Sequence, residues 1–125
     1  MQSRRVAITG LGLVSPYGGD LADFFDRLIA GQSAVSLLLT EDLPRPLSTP
    51  FVRCAGFDAI ASLGKPLSLM MERFAQLGMA AAFQAWAQAG LPRRPTEASG
   101  GAREQWGCIW GTALGGLAAH ERGSR

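Results

Sequence analysis

A chain of 125 residues has the length of one ordinary domain, and its 47% hydrophobic and 18% charged content suits a buried core and excludes a disordered polymer. The net charge of +2 is small, and the basic pairs Arg4-Arg5 and Arg93-Arg94 are not clustered with aromatics, which argues against a nucleic-acid partner. No run approaches the roughly 18 apolar residues of a membrane span, and Gly10, Gly12 and Pro16 interrupt what would be a leader after the basic start, so the expected compartment is the cytoplasm.

In chain order, Arg5 to Thr9 predicts a short strand, with Val6 and Ile8 on one face. Gly10-Leu11-Gly12 loosens the backbone, and Ser15-Pro16-Tyr17-Gly18-Gly19 reads as a turn. Asp20 then fits the N-cap of an amphipathic helix whose apolar face is Leu21, Phe24, Phe25, Leu28 and Ile29, closed by Gly31. Residues 32 to 66 form an irregular excursion, because Pro44, Pro46, Pro50 and Pro66 exclude long helices. Within it Phe51 to Phe57 predicts a short edge strand or hairpin arm, and Leu37-Leu38-Leu39 a buried anchor.

A second long helix is expected from Ser68 to Gly90, carried by Met70, Phe74, Leu77, Ala81 and Ala85. Its centre, Gly78 to Ala82, is small nearly all round, which predicts burial against several neighbours. A polar loop covers residues 91 to 104. Gln105 to Thr112 then alternates as a strand, with Trp106, Cys108 and Trp110 on one face, and runs into the glycine-rich turn Thr112 to Leu117. Strand, helix, excursion, helix, strand predicts α/β architecture with a parallel sheet. Two strands do not make a stable sheet alone, so the set of elements looks unfinished.

Local chemistry points to no catalytic centre. Gly10-x-Gly12 after a strand suggests a dinucleotide cradle, but Ser15 stands where the third glycine belongs and Asp20 would repel a pyrophosphate. Cys108 and His120 are the one Cys-His combination close in sequence. Cys108 falls mid-strand between tryptophans, where a small buried hydrophobe is expected and not a thiolate. Cys54 lies beside Arg53 with no base near it in sequence, and Gly31-Gln32-Ser33-Ala34-Val35 fails the G-x-S-x-G elbow. One histidine builds no metal cluster, and the carboxylates Asp20, Asp23, Asp26, Glu41 and Asp42 read as capping and surface charges.

The chain from residue 4 to about residue 121 resembles the beginning of the β-ketoacyl-acyl-carrier-protein synthases, the condensing enzymes of fatty-acid and polyketide synthesis. Arg4 to Gly18 is similar to the family opening, a strand running into a G-x-G-x-x-S-P-x-G turn. Leu28-Ile29-Ala30-Gly31-Gln32-Ser33 resembles its first helix end, Met71-Glu72-Arg73-Phe74 the start of its long helix, and Ala85 to Leu91 the A-x-x-x-A-G-L exit. Gly107 to Gly116 resembles the strand and glycine turn beside the acyl pocket. Five ordered matches specify more than any one of them.

The resemblance implies a layered α/β/α, thiolase-like fold of which residues 1–125 are an incomplete N-terminal half, and a homodimer in the family. It implies an acyltransferase that condenses an acyl thioester with malonyl-acyl-carrier-protein with loss of carbon dioxide, without metal or other cofactor. In the family a cysteine at a helix N-terminus carries the acyl chain and two histidines serve the developing charge. Those residues lie downstream of the glycine turn, so no catalytic residue is expected within these 125. What carries over is a pocket role: Gly111, Thr112, Leu114 and Gly115 would line the inner acyl channel, with Leu114 at the chain-length gate. The alternative is a non-catalytic interaction fragment that docks on another ketosynthase chain.

Overall fold

The computed structural model describes residues 5–40, 47–92 and 106–124. Helix α1 (Leu21–Ile29) starts where expected: the Asp20 carboxylate accepts the amide of Asp23 at 2.8 Å, and Gly31 closes the helix at φ +66°. Arg27 ties back to Asp23 at 3.0 Å one turn earlier. The turn before the helix is also as predicted. Ser15 and Gly18 exchange backbone hydrogen bonds of 2.9 and 3.0 Å, and the buried Ser15 hydroxyl donates to the Gly18 carbonyl at 2.8 Å. Tyr17 fastens this turn to α1, donating from its hydroxyl to the Gln32 carbonyl at 2.6 Å under the Arg27 guanidinium.

The excursion holds a hairpin, β1 (Ser36–Thr40) and β2 (Leu47–Phe51), paired antiparallel with Leu38 opposite Thr49. The second arm therefore lies upstream of the expected 51–57 segment and reaches only Phe51. Pro50 fits there because each strand of a two-stranded ribbon keeps an open edge that needs no donor. Leu37, Leu38 and Leu39 are exposed, not a buried anchor, because among the described residues no layer covers the ribbon. Two short helices follow, α2 (Ala59–Leu63) and α3 (Lys65–Met70), and Asp58 caps α2 by accepting from the amides of Ile60 and Ala61 at 2.8 and 3.0 Å.

The long helix is split. Its main part, α4 (Arg73–Gln88), is separated from α3 by Met71, whose extended backbone (φ −124°, ψ 142°) ends one helix before the next begins. Gln76 bridges the break, its side-chain amide donating to the carbonyls of Ser68 at 2.7 Å and Met71 at 3.1 Å. The predicted crowding around α4 is present without the predicted burial. Residues 10–13 lie along it so closely that a Cβ at Gly10 or Gly12 would overlap the carbonyl oxygen of Ala85 or Ala81. Gln84 and Gln88 accept the amides of Leu13 and Leu11, and Trp110 packs over Gly78. Yet Ala80 is the one buried residue of the helix.

The two central strands expected from sequence are absent: neither 5–9 nor 106–112 is a strand, and among the described residues the hairpin is the one sheet, antiparallel and not parallel. The cause is energetic. An extended chain gains a ladder only when another extended backbone lies alongside it, and here each stretch meets a helix and, among the described residues, no strand. The molecule is thus a small mixed helix-and-strand assembly centred on α4. Its buried residues among those described are Ser15, Leu63, Ser68 and Ala80. A last helix, α5 (Leu117–Gly123), follows the glycine turn and was not anticipated.

Candidate functional site

The glycine turn connects residues 106–110 to α5, and α4 positions it from below. Trp106 meets Trp86 with ring centroids 5.3 Å apart, and Trp110 lies over Gly78. At the turn itself a Cβ on Gly115 would come within 2.5 Å of the Phe74 ring and 2.7 Å of the Thr112 hydroxyl, so a side chain there would push one of them aside. Arg122 of α5 pairs with Glu72 at 2.6 Å, fixing the far end of the turn to the first residue before α4.

The four residues expected to line an acyl channel are therefore brought together on one turn over the start of α4. Gly111, Thr112, Leu114 and Gly115 are all exposed, with Leu114 at 80%. Of the four, Gly115 is the one that meets Phe74.

A second concavity lies at the other end of α4 and includes none of the four. It is about 550 Å³, lined by Met79, Ala82, Phe83, Trp86 and Ala87 of α4 with Ser62 and Leu91 beside them. The lining is apolar except for the Ser62 hydroxyl, which already donates to the Asp58 carbonyl at 2.7 Å. The Trp86 indole likewise donates to the Pro92 carbonyl at 2.8 Å. Among the described lining residues both polar side-chain groups are thus already engaged, and what the groove offers is mainly apolar contact. Sequence inspection passed over it, although its signal is present. Met79, Ala82, Phe83, Trp86 and Ala87 form a second apolar stripe at helical spacing, beside the one traced through Phe74, Leu77 and Ala81.

Cys108 is exposed on the irregular stretch, not buried within a strand, because the strand that would have enclosed it does not form. His120 lies exposed in α5, and no hydrogen bond joins it to Cys108. Cys54 is half-buried; its carbonyl, not its thiol, is engaged, accepting from Arg73 at 2.9 Å. Among the described residues no group of three or more His, Cys, Asp or Glu side chains could hold a metal ion. The Gly10-x-Gly12 pair is committed to close packing on α4, which occupies the side where a pyrophosphate would have to approach. Arg93-Arg94, Glu41 and Asp42 lie outside the described residues. Among the described residues no helix is long and apolar enough to cross a membrane.

The chain belongs to the beta-ketoacyl synthase family, matching the model of its N-terminal domain over residues 3–124. It is 33% identical over 124 residues to 3-oxoacyl-[acyl-carrier-protein] synthase 2 of Vibrio cholerae, covering 98% of this chain and 28% of that protein. Against the synthase 2 of Coxiella burnetii it is 32% identical over 117 residues, covering 94% of this chain and 27% of the relative. A Streptomyces halstedii protein assigned as polyketide beta-ketoacyl synthase 1 is 30% identical over 116 residues, 91% of this chain and 26% of that one. The chain thus spans little more than a quarter of the length of these relatives. No solved structure matches it significantly.

Proposed function

We propose that these residues are the N-terminal scaffold of a cytoplasmic enzyme that condenses an acyl thioester with malonyl-acyl-carrier-protein, in fatty-acid or polyketide synthesis. The complete enzyme would be a homodimer of thiolase-like, layered α/β/α fold, needing no metal or cofactor. The observation that carries this reading is the end-to-end family match, residues 3–124, with relatives named as a 3-oxoacyl-[acyl-carrier-protein] synthase and as a polyketide beta-ketoacyl synthase. Residues 1–125 would contribute structure and one wall of the acyl channel, through Gly111, Thr112, Leu114 and Gly115, and no catalytic group. The exposed Leu114 over the start of α4 supports that assignment, since a large apolar side chain held on a tight glycine turn is suited to meeting an acyl tail.

Chemistry sets what the scaffold lacks. Carbon–carbon bond formation needs a thiolate to carry the acyl group and preorganised donors for the enolate formed as carbon dioxide leaves. The exposed Cys108 and the separate His120 do not make that arrangement. The isolated chain, incubated with acyl- and malonyl-carrier-protein, is expected to give no ketoacyl product and no acylated cysteine by mass spectrometry. A chimera in which these residues replace the matching part of the Vibrio cholerae synthase is expected to condense. In that chimera Leu114→Trp should shift products to shorter acyl chains. An inactive but folded chimera, or an acylated Cys108 in the isolated chain, would contradict the reading.

A further inference from the structure

The glycine turn is pinned to α4 at two points. Just before it, the Trp110 ring lies over Gly78 so closely that a Cβ there would overlap the indole. At its far side the Phe74 ring lies against Gly115 and Gly116, where added Cβ atoms would meet it at 2.5 and 3.5 Å. The Thr112 hydroxyl closes over Gly115 from within the turn, 2.7 Å from the same Cβ position. Phe74 and Gly78 are four residues apart on α4, so they share one face of the helix about 6.0 Å from each other along its axis. Between the two pins residues 111–114 are exposed, with Leu114 at 80%.

We infer that Phe74 and Gly78 are positioning residues for the acyl channel: the bulk of the side chains at these two places sets how far Leu114 stands out from α4, and with it the length of acyl chain accepted. The inference rests on the proposal that Leu114 meets the acyl tail, and it assigns specificity to two helix residues that touch no substrate. The reason is the way the turn is held. Both pins are packing contacts, so the height of the turn follows the thickness of what lies beneath it. At Gly78 the missing side chain lets the indole down onto the helix backbone, and a methyl group there would lift it. At Phe74 a rigid ring props the other end, and a smaller side chain would let that end sink. The two changes therefore act with opposite sign. The Arg122–Glu72 pair that ties α5 to the helix is 70% and 37% exposed, and an ion pair so placed yields to either movement at little cost.

The test uses the chimera with the Vibrio cholerae synthase. It measures kcat/KM across a series of acyl-carrier-protein thioesters that lengthen by two carbons at a time, with products sized by mass spectrometry. Phe74→Leu is expected to move the preference to longer acyl chains and Gly78→Ala to shorter ones, each by at least about three-fold in the ratio between neighbouring lengths, within what a methylene of pocket space supplies. Adding Trp110→Phe to Gly78→Ala makes room for the new methyl group and should bring the ratio back. Gly12→Ala, which disturbs packing on α4 at Ala81 and leaves the turn alone, should not move it. Shifts of the same sign in Phe74→Leu and Gly78→Ala, a lower rate with an unchanged ratio, or an equal shift in Gly12→Ala would each overturn the inference. If Leu114→Trp shortens the products while neither α4 variant moves the ratio, the inference falls and the channel reading stands. If Leu114→Trp also leaves the ratio unchanged, or the folded chimera does not condense, both fall.

Discussion

Gly12 shows how much one residue without a side chain can decide. Its Cα faces the Ala81 carbonyl of α4 so closely that any Cβ would overlap a backbone atom that cannot rotate away. Gly12→Ala is therefore expected to lift residues 10–13 off the helix at a cost of about 1–3 kcal/mol, seen as a lower urea midpoint. Gly56→Ala is the control. Nothing lies within 4 Å of a Cβ there and its φ is not positive, so the midpoint should hardly move. From sequence the same pair, Gly10 and Gly12, read as a loosened backbone and suggested a phosphate cradle, and the structure adds a third meaning, close packing. Only the position of α4 decides between them, because a glycine records that something comes near and not what it is.

Among the elements, α1 was legible to its ends, because Asp20, the 3–4 spacing and Gly31 are local signals that need no partner. The break between α3 and α4 was not. Leu69, Met70, Met71 and Phe74 continue a helical pattern, and the interruption rests on Met71 adopting extended backbone while Gln76 caps the carbonyls left behind. The short helices depend on their caps to different degrees. Asp58→Ala removes an acceptor serving two amides at the start of α2 and is expected to cost about 0.5–2 kcal/mol. Glu72→Ala, at the start of α4, removes no cap bond and only an ion pair whose partners remain 70% and 37% exposed. Solvent screening should hold that loss below about 1 kcal/mol. Paired chemical-denaturation curves for the two variants check the order.

For the molecule as a whole, sequence reading gave the family and the mixed helix-and-strand character, and it noted that the elements looked unfinished. It overestimated the sheet. Val6, Ile8, Trp106 and Trp110 carry strand propensity, but propensity becomes a strand only when another backbone offers its carbonyls and amides, and that condition is not written in the segment itself. The residues proposed for the acyl channel were legible as a turn, and that turn meets Phe74 through Gly115 and Gly116. Stability should be distributed accordingly. Amides of Ala80 to Gln88 in α4 are expected to exchange slowest, and those of residues 5–9 and 106–112 at nearly unprotected rates. A mass-spectrometric exchange time course reads this directly, and uniform protection across the chain would contradict it.

The two glutamines of α4 carry a geometric consequence. Four helical residues advance about 6.0 Å, and two extended residues about 6.6 Å, so Gln84 and Gln88 can meet the amides of Leu13 and Leu11 with little mismatch. The discrepancy grows with every further pair, like two rulers of slightly different pitch laid side by side. The grip nevertheless stops at Leu11 for a simpler reason: the next position in step, four residues past Gln88, is Pro92, beyond the end of α4, so Arg5 to Thr9 leave the helix with their own hydrogen-bonding groups still on offer.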